Sequence, residues 1–340
     1  MKKLPLAFAV SSALILSTQT HAEEVISVMD AVEIGGLIEV EAQNVSPDGA
    51  ASSSDIYVAT AELGIGAKIN KNVTADMVLL YEGPDATLEL DAATITITPD
   101  SMPLSFTFGK TGVPFGVFDT NLLSDPLTMA LAETAVDAGA QVALEAGGFN
   151  AAVFVFNGPS KYDDDTVNDY AVTAGYAIEG DFSFAMQVGY MNNIGNTDTL
   201  SGYDNDDDES NGVSMSVVKN DVAAMTVALS MSFANFTLIG EYVAAQDAFE
   251  NTELANWKGE GAEPSAWNAE LAYSLGSATV AIGRQQTDDA INLGLSKARN
   301  LFAYSVELYE NTTLTVEFAN EEDYAGSETK IVTGQLAVEF

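Results

Sequence analysis

From Phe182 to Tyr190 the residues Phe182, Phe184, Met186, Val188 and Tyr190 alternate with Ser183, Ala185, Gln187 and Gly189. The same rhythm sets Trp267, Ala269, Leu271, Tyr273 and Leu275 against Asn268, Glu270, Ala272 and Ser274, and Met225, Val227, Leu229, Met231 and Phe233 against Thr226, Ala228, Ser230 and Ser232. A period of two marks a strand with one apolar face. Sixteen such runs can be traced, over 31–42, 55–68, 72–82, 86–97, 103–111, 137–146, 148–157, 168–179, 181–192, 221–233, 236–246, 265–275, 277–286, 298–308, 312–320 and 329–340. The uncharged stretch 222–240 would pass a hydropathy scan as a membrane helix. Ala234-Asn235 interrupts it as a turn, however, and the alternation is clean on both sides, so two strands fit better.

The connections fall into two classes that alternate along the chain. Short ones sit at 69–71, 99–101, 147–148, 179–180, 234–235, 275–276 and 310–311. Mostly long, acidic ones sit at 43–54, 112–136, 158–167, 193–220, 247–264, 287–297 and 321–328, with 83–85 the short exception. A soluble sandwich or lectin-like protein has no reason to sort its loops this way, whereas a transmembrane barrel does. The expected fold is therefore an all-β, antiparallel up-and-down transmembrane β-barrel of about sixteen strands, a single domain over 23–340. A barrel of that size leaves an aqueous channel, and the chain is too short for about 22 strands plus a plug. The last strand places Val332, Gly334, Leu336, Val338 and Phe340 on one face. That ending resembles the carboxy-terminal signal by which bacterial outer-membrane proteins meet their assembly machinery.

Composition sets the compartment. Lys2 and Lys3, the apolar run Leu4–Leu16 and Thr20-His21-Ala22 have the order of a secretory leader, 1–22, and the run is too short to span a bilayer. With sixteen strands beyond it, the expected location is the outer membrane of a Gram-negative bacterium, with lipid and lipopolysaccharide as surroundings. The chain has no Cys, and its single His lies in the leader. Thiol chemistry, His-based metal sites and a Ser-His-Asp triad are excluded, and neither an enzyme nor a cofactor is expected. A net charge of −38 argues against nucleic acid as a partner. With 47% hydrophobic residues the acids are sorted by position rather than being a mark of disorder.

Opposite the large apolar side chains stand Glu62, Asp76, Glu241, Glu270, Glu307, Glu317 and Glu339, expected to line the lumen with Arg299. The alternation is mixed near Glu89 and Asp91. Lys110 and Arg284 share the lipid-side parity at strand ends, so a lumen role for either depends on a bulge or a rim position. An acid-rich wall favours cations. The segments YDDDTVND (162–169) and YDNDDDES (203–210) invite a Ca²⁺ reading, but Glu209 stands where the calcium-loop template needs Gly. Solvated loops, bridged loosely to lipopolysaccharide by divalent ions, are the simpler expectation, and no metal site is assigned.

The segment 112–136 departs from the rest, with two prolines, two Phe-containing turns and a Leu/Met-rich run. Folding inward would explain it. Phe115 and Phe118 would pack on the wall, Pro114 and Gly116 would allow the bend, and Asp119, Asp125 and Glu133 would face the channel. Ser124 or Asp125 would cap a short helix over Leu127–Glu133. In position and in its Pro-Phe-Gly the segment resembles the constricting third loop of trimeric general porins. Residues 109–134, GKTGVPFGVFDTNLLSDPLTMALAET, further resemble the stretch that marks LbtU-like siderophore porins, notably at Pro114-Phe115-Gly116, Thr120-Asn121, Ser124–Thr128 and Glu133-Thr134. Ala132 and the AVDAG that follows Thr134 depart from that pattern. The resemblance implies a passive channel taking part in ferric-siderophore uptake, with a homotrimer as one assembly. The alternatives are a general or other substrate-selective porin with no iron role, and a surface adhesin.

Overall fold

The structure, a computed structural model, describes residues 31–84, 86–134, 136, 138–158, 166–204, 218 and 220–340. The leader, the first half of the acidic segment 162–169 and most of 203–210 lie outside the described residues. Among the described residues are sixteen strands: β1 (Val32–Pro47), β2 (Ser53–Asn70), β3 (Val73–Glu82), β4 (Glu89–Ile97), β5 (Leu104–Lys110), β6 (Gly139–Ala146), β7 (Phe149–Phe156), β8 (Asp169–Ile178), β9 (Phe182–Met191), β10 (Ala224–Phe233), β11 (Phe236–Ala245), β12 (Ser265–Leu275), β13 (Ala278–Asp288), β14 (Ala298–Tyr309), β15 (Thr312–Glu322) and β16 (Glu328–Glu339). Each pairs antiparallel with its chain neighbour, and β1 pairs with β16, so the sheet closes into a barrel with no free edge. Closure satisfies the ladder of every strand, which is what lets a sheet cross a membrane. No helix of the described residues is long and apolar enough to cross one.

Closure is completed by the last residue. The Phe340 N–H donates to the Gly36 carbonyl at 3.0 Å, and the Gly36 N–H donates to the Phe340 carbonyl at 2.9 Å. A Cβ on Gly36 would stand 2.6 Å from the Phe340 ring and 2.7 Å from the Glu62 carbonyl oxygen, so this crossing needs glycine.

Cross-strand partners share a face, and the register divides the wall in two. The outward parity holds the exposed apolar side chains, such as Ile282, Phe302, Phe318 and Leu336. Aromatic residues gather at both ends of this face. Phe236 and Tyr273 meet at 4.6 Å with tilted rings beside the short turns, and Tyr170 and Tyr190 meet at 6.1 Å toward the long loops. Two such girdles are the mark of a barrel set in lipid. The inner parity carries small and polar residues, among them Thr226, Gln285, Thr315, Thr333 and Gln335.

Some boundaries differ from expectation. β1 runs on to Pro47, so most of the expected loop 43–54 is strand, paired to β2 and β16 through Gln43, Asn44 and Val45. Its polar end projects beyond the apolar band, which hid it from a hydrophobic period. At β4 the pairing steps from Val78↔Ala92 to Leu79↔Leu90, leaving Asp91 as an extra residue. That bulge is why the alternation near Glu89 and Asp91 is mixed.

Candidate functional site

The segment after β5 is tied shut at its base by a hydrogen bond from the Val113 N–H to the Thr134 carbonyl, 3.0 Å. From there it reaches strands on the far side of the chain, and three glutamates of the inner parity receive it in succession. Glu241 on β11 accepts the N–H groups of Val117 (2.8 Å) and Phe118 (3.1 Å). Glu270 on β12 accepts the Thr120 hydroxyl (2.7 Å), the Asn121 N–H (2.8 Å) and the Asn121 side-chain amide (2.6 Å). Glu317 on β15 accepts the N–H groups of Leu123 (2.7 Å) and Ser124 (3.1 Å) and the Ser124 hydroxyl. These carboxylates are 5%, 4% and 2% exposed. An irregular backbone has no ladder for its N–H groups, and a carboxylate that spans two neighbouring ones is among the strongest acceptors available.

Apolar packing completes the hold. Phe115, Leu127, Leu131 and Ala132 form one buried cluster with Phe154 and Phe156 of β7 and Met191 of β9. Phe154 and Phe156 lie 5.6 Å apart. The bend that admits Phe115 sits at Gly116, whose φ of 100° suits glycine. The helix expected here is α1 (Leu127–Ala132), preceded by Pro126. The expected cap is corrected: no side chain caps α1, because the Ser124 hydroxyl is taken by Glu317, while the Leu127 N–H is met by Gln285 at 3.2 Å. A second helix, α2 (Asp198–Asp204), starts against it, with the Asp198 N–H donating to the Glu133 carbonyl at 2.9 Å.

The acids of the segment occupy different surroundings. Burial pushes the Asp119 carboxyl up. Asp125 is also raised by burial, a shift opposed by Arg299 and reinforced by Glu41. Glu133 is pushed up to about 8, first by burial and then by Asp198, Asp125, Glu82 and Asp91. Arg299 pairs its Nε with Glu321 at 2.7 Å and donates from Nη1 to the Asp125 carbonyl at 3.3 Å. Asp125 and Glu133 thus share one electrostatic neighbourhood with the wall acids Glu41, Glu82 and Asp91.

Several candidate residues are placed differently from the simple expectation of a uniform acidic lining. Glu241, Glu270 and Glu317 lie on the inner parity but are occupied by the segment rather than open to solvent. Glu62 pairs with Leu37 and Leu80 in mid-strand, whereas Asp76 and Glu307 sit near the short-turn end, away from the segment. No bulge interrupts β13 at Arg284, which stays on the outward parity and donates to Asn300 at 2.8 Å. Lys110 ends β5 just after Gly109, whose φ is 133°, and lies close enough to Asp91 at the β4 bulge to act on it electrostatically. Glu39 and Glu41 were not among the candidates, although Ile38-Glu39-Val40-Glu41 alternates plainly.

The comparisons bear on the fold and the family. Residues 32–222 match the family model described as phosphate-selective porin O and P. The UPF0422 protein of Legionella pneumophila (strain Paris) is 24% identical over 295 residues, covering 80% of this chain and 55% of that protein. Its counterpart in Coxiella burnetii is 23% identical over 312 residues, covering 87% of this chain and 65% of that one. The chain therefore spans between about half and two thirds of the length of these curated relatives. Among solved structures, an anion-selective porin from Comamonas acidovorans superposes with a TM-score of 0.61 at 14% identity, over 91% of this chain and 99% of its own. OprB of Pseudomonas putida gives 0.64 at 10% identity, over 92% and 95%. Such identities speak for the fold alone. A porin family and fold agree with the reading of the chain as a non-enzyme. With the match extending over more than half its length, the chain belongs to the phosphate-selective porin O and P family and is an outer-membrane β-barrel of porin type.

Proposed function

We propose that this chain is a passive outer-membrane channel whose segment 112–134 folds into the barrel and narrows an acid-lined, cation-preferring pore. The observation that carries the reading is that Asp125 feels Glu41, and Glu133 feels Asp125, Glu82 and Asp91, with Arg299 beside Asp125 and Lys110 beside Asp91 as the bases. No covalent step is needed; width and field set what passes. Phosphate selection calls for a row of Lys or Arg donors. On the inner parity of the described strands the bases are Lys68 and Arg299, and Arg299 is already paired with Glu321. The family's phosphate label and the anion-selective neighbour therefore do not transfer to this lining.

The siderophore reading rests on the resemblance of 109–134. Among ferric complexes this lining favours neutral or positively charged ones. A leader at 1–22, a homotrimer and contact with lipopolysaccharide belong to the same proposal. Liposome swelling with solutes of matched size and opposite charge tests it: the cationic solute should enter faster. Faster entry of the anion would overturn the acidic-pore reading. Current block by ferric siderophores, together with induction under iron limitation, would separate iron uptake from a general porin.

A further inference from the structure

Beside the segment a cavity of about 120 Å³ opens between Phe118 and Asp119 and the inner wall of β7 to β11. Three alanines, Ala177, Ala185 and Ala228, make the room, and Asn150, Gln187 and Ser230 bring polar side chains to its lining. The register places these polar residues on the inner parity: Asn150 pairs with Gly175, Gly175 with Gln187, and Ser230 with Ala185 and Ile239. The space holds a few waters or one small organic ion.

Asp119 is the anomaly in this cavity. Glu241 and Glu270, close enough to act on it electrostatically, are each matched by donors from the segment. The Asp119 carboxylate is half-buried and, among the described residues, has neither a hydrogen bond nor an ion pair. Being half-buried beside the cavity, it is left open to a ligand that enters there. Next to it Phe118 is held at φ 58°, a left-handed conformation that a bulky residue rarely adopts. Its ring folds back over Gly116, and the Gly116 carbonyl accepts from Gln187 at 3.3 Å. The strained turn therefore fixes an aromatic surface and an unmatched carboxylate side by side.

We infer that this cavity is a binding subsite for a small organic ammonium ion in transit through the channel. Asp119 would supply the counter-charge, Asn150 and Ser230 the acceptor oxygens, and Phe118 the aromatic surface. An ammonium ion fits all of these at once, because it donates to carboxylate and amide oxygens and is attracted to a ring face. A phosphate or carboxylate solute would meet Asp119, Glu241 and Glu270 as like charges. The inference rests on the cation-preferring reading of the pore and adds the class of cation.

Ethylammonium chloride, whose N–H groups can donate to these oxygens, added to single channels of the refolded protein in KCl, is the test. The wild type should show concentration-dependent block of the potassium current. Asp119→Asn should need at least tenfold more of the ion for the same block, and Asn150→Ala should weaken it in the same direction. Asn150→Ala also keeps the test alive should Asp119→Asn fail to refold. Equal block in wild type and variants, or no block in a channel that does prefer cations, overturns the subsite while leaving the selectivity reading intact. An anion-preferring channel whose block still depends on Asp119 does the reverse.

Discussion

Glu241, Glu270 and Glu317 were legible as strand residues on a polar face, but not as anchors. Their partners lie far away in sequence, 124, 149 and 194 residues for the Val117, Asn121 and Leu123 N–H groups, and no local pattern announces such contacts. Replacing Glu270 with Ala would strand the Thr120 hydroxyl and the two Asn121 donors. We expect a loss of about 3 kcal/mol, given about 1–3 kcal/mol for a buried group left unmatched. A wider, noisier pore should result, read as a rise in single-channel conductance; an unchanged conductance would mean that the segment is held without it. Glu133 carries a pH prediction. Its carboxyl is raised from 4.5 to about 8 in the fold. A group raised in this way adds stability that is complete below its unfolded pKa and is lost as pH climbs through the folded value. Stability should therefore fall between about pH 4.5 and 8, while cation preference grows as Glu133 ionises. Glu133→Gln should flatten both curves, measured by thermal melts from about pH 4.5 to 8 and by reversal potentials between about pH 6 and 9.

The elements were the most readable layer, because a strand with one face in lipid and one in water writes its period directly. All sixteen runs became strands, with shifts of a few residues at most ends. The exceptions have local causes, in the polar end of β1 up to Pro47 and the extra residue at Asp91. The segment 112–134 was recognisable as unusual, and its helix was anticipated to within a residue at Ala132. Its route across the strands was not legible, since that depends on which distant side chains accept its N–H groups. A six-residue helix has little stability of its own and stands here by packing. Phe115, 1% exposed, lies in that packing, so Phe115→Ala should cost about 3–5 kcal/mol. Limited proteolysis should then cut within 112–134 in the folded barrel. Resistance equal to the wild type would argue that the glutamate anchors suffice.

At the scale of the molecule, an even strand count, closure through Phe340 and two aromatic girdles describe a barrel set in lipid. Gly36→Val tests the closure, since any Cβ there meets the Phe340 ring and the Glu62 carbonyl. Overpacking of this kind costs about 1–3 kcal/mol, and the yield of heat-modifiable, folded barrel should drop. In the proposed function, what the barrel conducts follows from the field of its lining, in which the acids Asp125, Glu133, Glu41, Glu82 and Asp91 outnumber the bases Arg299 and Lys110. The reversal potential of the refolded channel in a KCl gradient across a planar bilayer measures that field directly. A potential of the sign set by potassium, growing between pH 6 and 9, is the predicted result; a potential set by chloride would contradict the acid-lined pore.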